Sequence, residues 1–409
     1  MAFLSTSYLK GKIHTKFYTP SGIEYIFLGI IIGPSFANWL KAAFHLNYLE
    51  IIDNSTLQQL SPGISAAIGI IGLIYGLKFR LADFQKSDTE HIRLVSFDIV
   101  TALFLIGGAA FGILYYFFYN GKNLNDIIAA SYFLAVTGSV SSNYAINALL
   151  TKYRLDGPLS LAIDSVTKMN ISLTIFIYGL LFGVYHIGGI DTLSADFGSH
   201  KITSTEWVVI SILLALLVGI LFNIFLGREE NENKFFVAVV GITIFTSGLA
   251  YFLNFSPLYM NFLVGFVLVN FSKVSQKLEK ALFRLLEPFG LLIVVTAGFY
   301  WVPAKLNIFI IGSIAFIVLR FISKKAASYF AFISAFEKEK LSAKIGSGLI
   351  AQDIIVCAMA IDYLNVYKNN LTPMVISYVL VSVIFFGLIG YSSTKKLLID
   401  SGEIIGENQ

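Results

Sequence analysis

The chain has 409 residues, 56% of them hydrophobic and only 13% charged, and a mean hydropathy of +0.76 excludes a soluble globule of this length. The net charge of +4 comes from basic loops and argues against nucleic-acid binding, and the single cysteine, Cys357, excludes a disulfide framework. The apolar runs are continuous instead of alternating, so the expected fold class is an all-α polytopic membrane protein and not a β-barrel.

In chain order, Lys10, Lys12 and Lys16 precede an apolar run that contains Gly33-Pro34. It is long and lacks a small-residue cleavage site, so it reads as a retained first helix and not a secretory signal. Spans are expected near 23–43, 63–80, 93–119, 126–151, 157–185, 205–226, 234–254, 256–272, 281–301, 306–330, 345–363 and 371–394, about twelve helices of ~20 residues each. Only Asn254 and the turn at Ser256-Pro257 separate the seventh from the eighth. The loops test this division. With charges near a span's ends counted to the adjoining loop, only Lys41, Lys122, Lys201, Lys305 and Lys368 of the 29 Lys and Arg fall to odd-numbered loops, and Lys168 and Arg320 are left deep inside spans. The remainder lie at the termini and in even-numbered loops, which places both termini in the cytoplasm by the positive-inside rule. The expected location is the plasma (inner) membrane, multi-pass, with one transmembrane domain over 1–409 and no soluble domain; the longest polar stretches are 188–205 and 337–344.

Ionisable residues at membrane depth are costly unless paired or facing a wet cavity, so they mark an ion or substrate path. Four spans carry the candidates. The fourth contains Thr137-Gly138-Ser139-Val140-Ser141-Ser142-Asn143, poor helix formers that predict an interrupted helix with hydroxyls and freed carbonyls for a cation. The fifth carries Asp164 and Lys168, four apart on one face and expected to pair, with Thr167 and Asn170 nearby. The tenth carries Arg320, which either pairs with Asp353, holds the two halves together, or snorkels toward a cytoplasmic cluster at Lys324-Lys325. The eleventh opens Gly346-Ser347-Gly348 and leads to Gln352-Asp353, a second interrupted helix running opposite to the fourth. Asp98, near the cytoplasmic end of the third span, reads as a solvated carboxylate at a helix start.

These residues bring a resemblance into view. Phe27-Leu-Gly-Ile-Ile-Ile-Gly-Pro34-Ser35, Gly76-Leu77-Lys78-Phe79-Arg80, Ala135-Val-Thr137-Gly-Ser139 and Leu155-Asp156-Gly157-Pro158 resemble, in order and spacing, the monovalent cation:proton antiporter superfamily, nearest its Kef-type or sodium-proton exchanger branch. The resemblance implies two inverted five-helix repeats, here about 20–185 and 234–394 joined by a helix near 205–226, with two crossing interrupted helices and commonly a homodimer. Two departures stand out. Aligned from Gly157-Pro158, the family's acidic dyad falls near Asn170-Ile171, where the second acid is missing; aligned by local pattern, Ile163-Asp164-Ser165-Val166 supplies one acid and a serine. Lys78 stands where the family usually has a glutamate.

The leading expectation is exchange of a monovalent cation, Na⁺ or K⁺, for protons, with the lipid bilayer as the surrounding partner and no cofactor. Asp164 or Asp353 would be the carrier, Thr137, Ser139, Ser142, Asn170 and Gln352 neutral ligands, and Lys168 and Arg320 counter-cations. An alternative is an antiporter-like fold that lacks the dyad and carries an anionic or organic substrate. A membrane transferase ranks last: His14, His45, His91, His186 and His200 are scattered over different loops without catalytic or metal-ligand spacing, His186 reading as a solvated loop side chain.

Overall fold

The computed structural model describes residues 24–44, 54–121, 123–186, 202–226, 231–272, 275–301, 306–334 and 342–404, which are helical with no strand among them. Lys10, Lys12, Lys16, His14, His45 and His200, most of the loop 188–205 and the stretch 337–341 lie outside the described residues. The helices are α1 (Glu24–Ile32), α2 (Pro34–Phe44), α3 (Asn54–Leu77), α4 (Leu81–Lys86), α5 (Thr89–Thr101), α6 (Gly108–Phe118), α7 (Leu124–Ser139), α8 (Tyr144–Tyr153), α9 (Pro158–Val184), α10 (Ser204–Leu226), α11 (Glu232–Phe252), α12 (Pro257–Phe271), α13 (Ser275–Phe299), α14 (Leu306–Ile333), α15 (Ile354–Val366) and α16 (Thr372–Asp400). A π-helical stretch, Ala102–Gly107, joins α5 to α6 as one long rod.

Seven helices among the described residues are long and apolar enough to cross a membrane, and α12 and α15 are shorter apolar helices. The other expected spans differ for local reasons. The first run is broken at Gly33 into α1 and α2, the fourth and eleventh are interrupted, and α14 carries three cations, Arg320, Lys324 and Lys325. The seventh and eighth spans do separate. Asn254 adopts φ 55°, the Ser256 hydroxyl accepts the Tyr259 amide at 3.0 Å, and Pro257 opens α12 at a position that needs no amide donor.

Two groups of helices pack side by side. In one, a panel, α3 lies against α12, with α1, α10, α11 and α13 around them. Gly76 and Gly265 let α3 and α12 meet backbone to backbone, since a Cβ at either would strike the facing chain. The other group, a bundle, contains α5 to α9 and α14 to α16. The seam between them is formed by α9, α8 and α15 on the bundle side and α3, α10, α12 and α13 on the panel side. Glu403 ties the carboxyl end to the bundle, accepting the Leu159 and Ser160 amides at 2.6 and 3.0 Å. These are orphan donors in the first turn of α9, where a carboxylate is favourable.

Candidate functional site

Both interrupted helices form. Helix α7 stops at Ser139, residues 140–142 are extended, and α8 starts at Tyr144; a 3₁₀ turn over Ile345–Gly348, a bend at Leu349 and the non-helical residues 350–353 precede α15. The two non-helical pieces cross, and the Ser142 amide donates to the Ala351 carbonyl at 2.9 Å. The hydroxyls of Thr137 and Ser139 turn back onto Phe133 and Val136 carbonyls at 2.8 Å each, which loosens the helix end and leaves their own carbonyls to face the crossing. The Gln352 amide spans that space: Nε2 donates to Thr137 O at 2.9 Å, and Oε1 accepts from Ser382 at 2.7 Å.

Crossing two broken helices brings unpaired carbonyls and partial charges into a dry interior, and two cations answer them. Arg320, fully buried, donates to Ile350 O at 2.6 Å and Val140 O at 2.7 Å and lies 4.3 Å over the Phe386 ring. Of its three expected roles, it takes the one that holds the two halves together. It neither snorkels nor pairs with Asp353. Lys324 is 1% exposed and its ammonium uses all three donors, on Asp98 Oδ2, Ser139 O and Ser141 Oγ, each at 2.6 Å.

Two expectations are thereby overturned. Asp98 is fully buried, not solvated, and Lys324 is part of the core, not of a cytoplasmic cluster. Hydropathy places a span's end at its charges, because each charge alone is penalised; the penalty is offset when an acid and a base from α5 and α14 meet. Asn170 completes the group. Its Nδ2 donates to Asp98 Oδ2 at 2.8 Å and Ser139 O at 3.1 Å, and its Oδ1 accepts the Ser141 amide at 2.8 Å.

Asp353 stands at the edge of this knot. It caps α15, its Oδ1 accepting the Ile355 amide at 3.2 Å, and its Oδ2 accepts the Ser142 hydroxyl at 2.5 Å. At 8% exposure it touches a cavity of about 690 Å³ whose polar lining includes Lys78, Asn143, Asn147, Thr151 and Glu287. That cavity opens the seam on the side where Lys152 ends α8 and Lys78 follows α3. Lys78 sits between the Tyr75 and Phe283 rings, 4.9 and 4.7 Å from their centres. Burial holds its ammonium below the ordinary lysine range, with Asp353 pulling the other way and Lys168 adding to the shift.

The expected pair Asp164–Lys168 forms at 2.5 Å, with the Lys168 side chain 54% exposed. At 100° per residue Lys168 points away from Asn170, which is buried in the crossing. The structure thus gathers Thr137, Ser139, Ser142, Asn170, Arg320, Gln352 and Asp353 and leaves Asp164 and Lys168 outside. Asp98, Lys324 and Ser141 join the group at the crossing, a meeting that sequence reasoning missed. One signal was available: Lys324 is one helical turn from Arg320 on the same face of α14. His186, expected as solvated, stacks on Trp207 at 3.8 Å, and its Nε2 meets the Leu253 carbonyl at 2.8 Å. Burial pushes its imidazole below the usual histidine range.

The fold has solved counterparts. It is similar to the sodium proton antiporter MjNhaP1 from Methanocaldococcus jannaschii at pH 8, with a TM-score of 0.65 and 14% identity over 98% of this chain and 95% of that one. It is also similar to the electron-microscopy form of MjNhaP1, with a TM-score of 0.59 and 15% identity over 99% and 97% of the two chains. No curated protein sequence matches the chain. The sequence matches the family described as sodium/hydrogen exchanger, transmembrane, over residues 1–391. A match of that length means that the chain belongs to the sodium/hydrogen exchanger family of membrane cation:proton antiporters.

Proposed function

We propose that the protein exchanges Na⁺ or K⁺ for protons and that Asp353 is the carrier. The observation that carries this reading is that Asp353 joins the helix crossing to the open cavity. A carboxylate there takes either a proton or a cation, and the positive end of α15 and the Ser142 hydroxyl stabilise it while it exchanges one for the other. Asn143 lines the same space and offers a further oxygen. Asp98, Lys324, Arg320, Asn170 and Gln352 are structural in this reading. They fix the broken ends so that the cation is not needed to hold the fold. Rocking of the bundle against the panel then exposes Asp353 to each side in turn. The cavity faces the cytoplasm and both termini lie there, in the plasma (inner) membrane, with two copies as a homodimer.

Proteoliposomes with an imposed pH gradient test this: adding Na⁺, K⁺ or Li⁺ collapses the gradient in the wild type and in Asp164→Asn, and not in Asp353→Asn. A response lost in Asp164→Asn and kept in Asp353→Asn would move the carrier to α9. Lys78, a cation in the family's usual glutamate position inside the cavity, favours one other reading, transport of an anionic or organic substrate. Anion-driven currents with no response to any cation would establish it.

A further inference from the structure

The seam that is open beside Asp353 is closed on its other side, and α15 carries a second carboxylate there. Asp362 lies about 13 Å further along the helix axis at 1.5 Å per residue and is fully buried. Its Oδ2 accepts the hydroxyl of Ser256, the residue that caps α12. Ser256 Oγ already accepts the Tyr259 amide at 3.0 Å, so its proton is free for Asp362. Among the described residues, the other carboxylate oxygen, Oδ1, has no hydrogen-bond partner of good geometry. Beside it stand Tyr178 of α9 and the Leu258 amide of α12. The Tyr178 hydroxyl donates to the Met359 carbonyl at 2.8 Å. Among the described residues, no basic side chain pairs with Asp362, whereas Asp98, equally buried, has Lys324 and Asn170.

A bare carboxylate in such a setting carries a large desolvation cost, and something must satisfy its free oxygen. A cation needs several oxygens, and the side chains gathered here are largely rings: Phe133 stacks on Tyr363 at 4.2 Å and Tyr178 meets Phe182 at 5.2 Å. A proton needs only the oxygen. The arrangement also straddles the seam, with Asp362 on the bundle and Ser256 on the panel, so opening that side separates them.

We propose that Asp362, latched to Ser256 across the closed side of the seam, is a second proton-binding carboxylate that exchanges its proton with the solution on that side when the seam opens. The direction of exchange rests on the antiport reading; the bound proton does not. When the seam opens, the Asp362 O–H bond breaks, the proton leaves to water, and the carboxylate is hydrated; closing requires a proton to return.

Two measurements on the full chain in lipid vesicles test this. Infrared difference spectra between acidic and alkaline buffer should show a protonated-carboxyl stretch that is missing in Asp362→Asn and present in Asp353→Asn. The band should move to higher frequency in Ser256→Ala, which a purely structural role would not cause. A wild-type spectrum whose protonated-carboxyl bands all persist in Asp362→Asn overturns the proposal. In flux measurements, Asp362→Asn should slow cation-coupled proton movement by about tenfold or more. It should also lose the dependence on pH at the closed side while keeping that at the cavity side. Wild-type dependence on both sides would also overturn it. If the wild type shows no cation-coupled flux, the antiport reading fails, and the infrared band alone decides whether Asp362 holds a proton.

Discussion

The two sides of one seam are built from opposite materials. Beside the cavity, Lys78, Asn143, Asn147, Thr151, Glu287 and Asp353 keep panel and bundle apart around a wet space. On the other side, Tyr259 presses its ring onto Gly179, Phe255 packs near His186 and Trp207, and Asp362 reaches Ser256 across a dry gap. Of the helices involved, α15 borders both sides: α3, α8 and α13 line the cavity with it, and α9 and α12 meet it on the closed side. What differs is whether the facing side chains prefer water or each other, and that difference makes one side open and the other shut in this state. The knot of Asp98, Lys324, Arg320 and Asn170 ties α5, α9 and α14 to the ends of both interrupted helices.

The largest effect is expected from that knot. Lys324→Ala leaves Asp98 buried without its cation and should cost about 3–5 kcal/mol, read as a lower melting temperature in detergent. The double variant with Asp98→Asn should recover a good part of it, because the uncompensated charge is then gone. Next comes the open side: Asp353→Asn should lower cation-coupled proton flux by about a hundredfold or more while the melting temperature holds, since asparagine also caps a helix. On the closed side, Gly179→Ala puts a methyl group against the Tyr259 ring, an overpacking that costs about 1–3 kcal/mol. It should favour the state open on that side, seen as faster labelling of a cysteine placed at Leu253 by a membrane-impermeant thiol reagent.

Lys78 gives a smaller, pH-dependent effect. Its ammonium is held below the ordinary range by burial, so the folded protein carries a penalty for the charge at low pH. That penalty fades, and stability rises, as pH climbs from the folded value toward the unfolded one. Over the same window the cavity loses a positive charge close to Asp353, so the apparent KM for the cation should fall as pH rises, and Lys78→Gln should flatten that slope. The smallest effect belongs to Asp164→Asn. Its partner Lys168 is half exposed, and such pairs contribute about 0–1 kcal/mol, so the melting curve should barely move.

The sequence by itself determined the helical membrane class, from unbroken apolar runs, and both interruptions, from clusters of residues such as Thr137-Gly138-Ser139 and Gly346-Ser347-Gly348 that weaken a helix wherever they stand. It also determined the Asp164–Lys168 pair, because four residues on one helix are neighbours whatever the fold. These are local properties, set by propensity and spacing. The tertiary structure alone decided which charges matter. Asp98 and Lys324 come from helices far apart in the chain, and only their meeting at 2.6 Å turns two costly groups into a stable core. Asp353 and Asp362 lie on one helix, yet one meets a cavity and the other a serine in a dry seam, because the panel, not α15, shapes what each one faces. A residue's burial is a sum over every element packed against it, and that sum has no local signature in the chain.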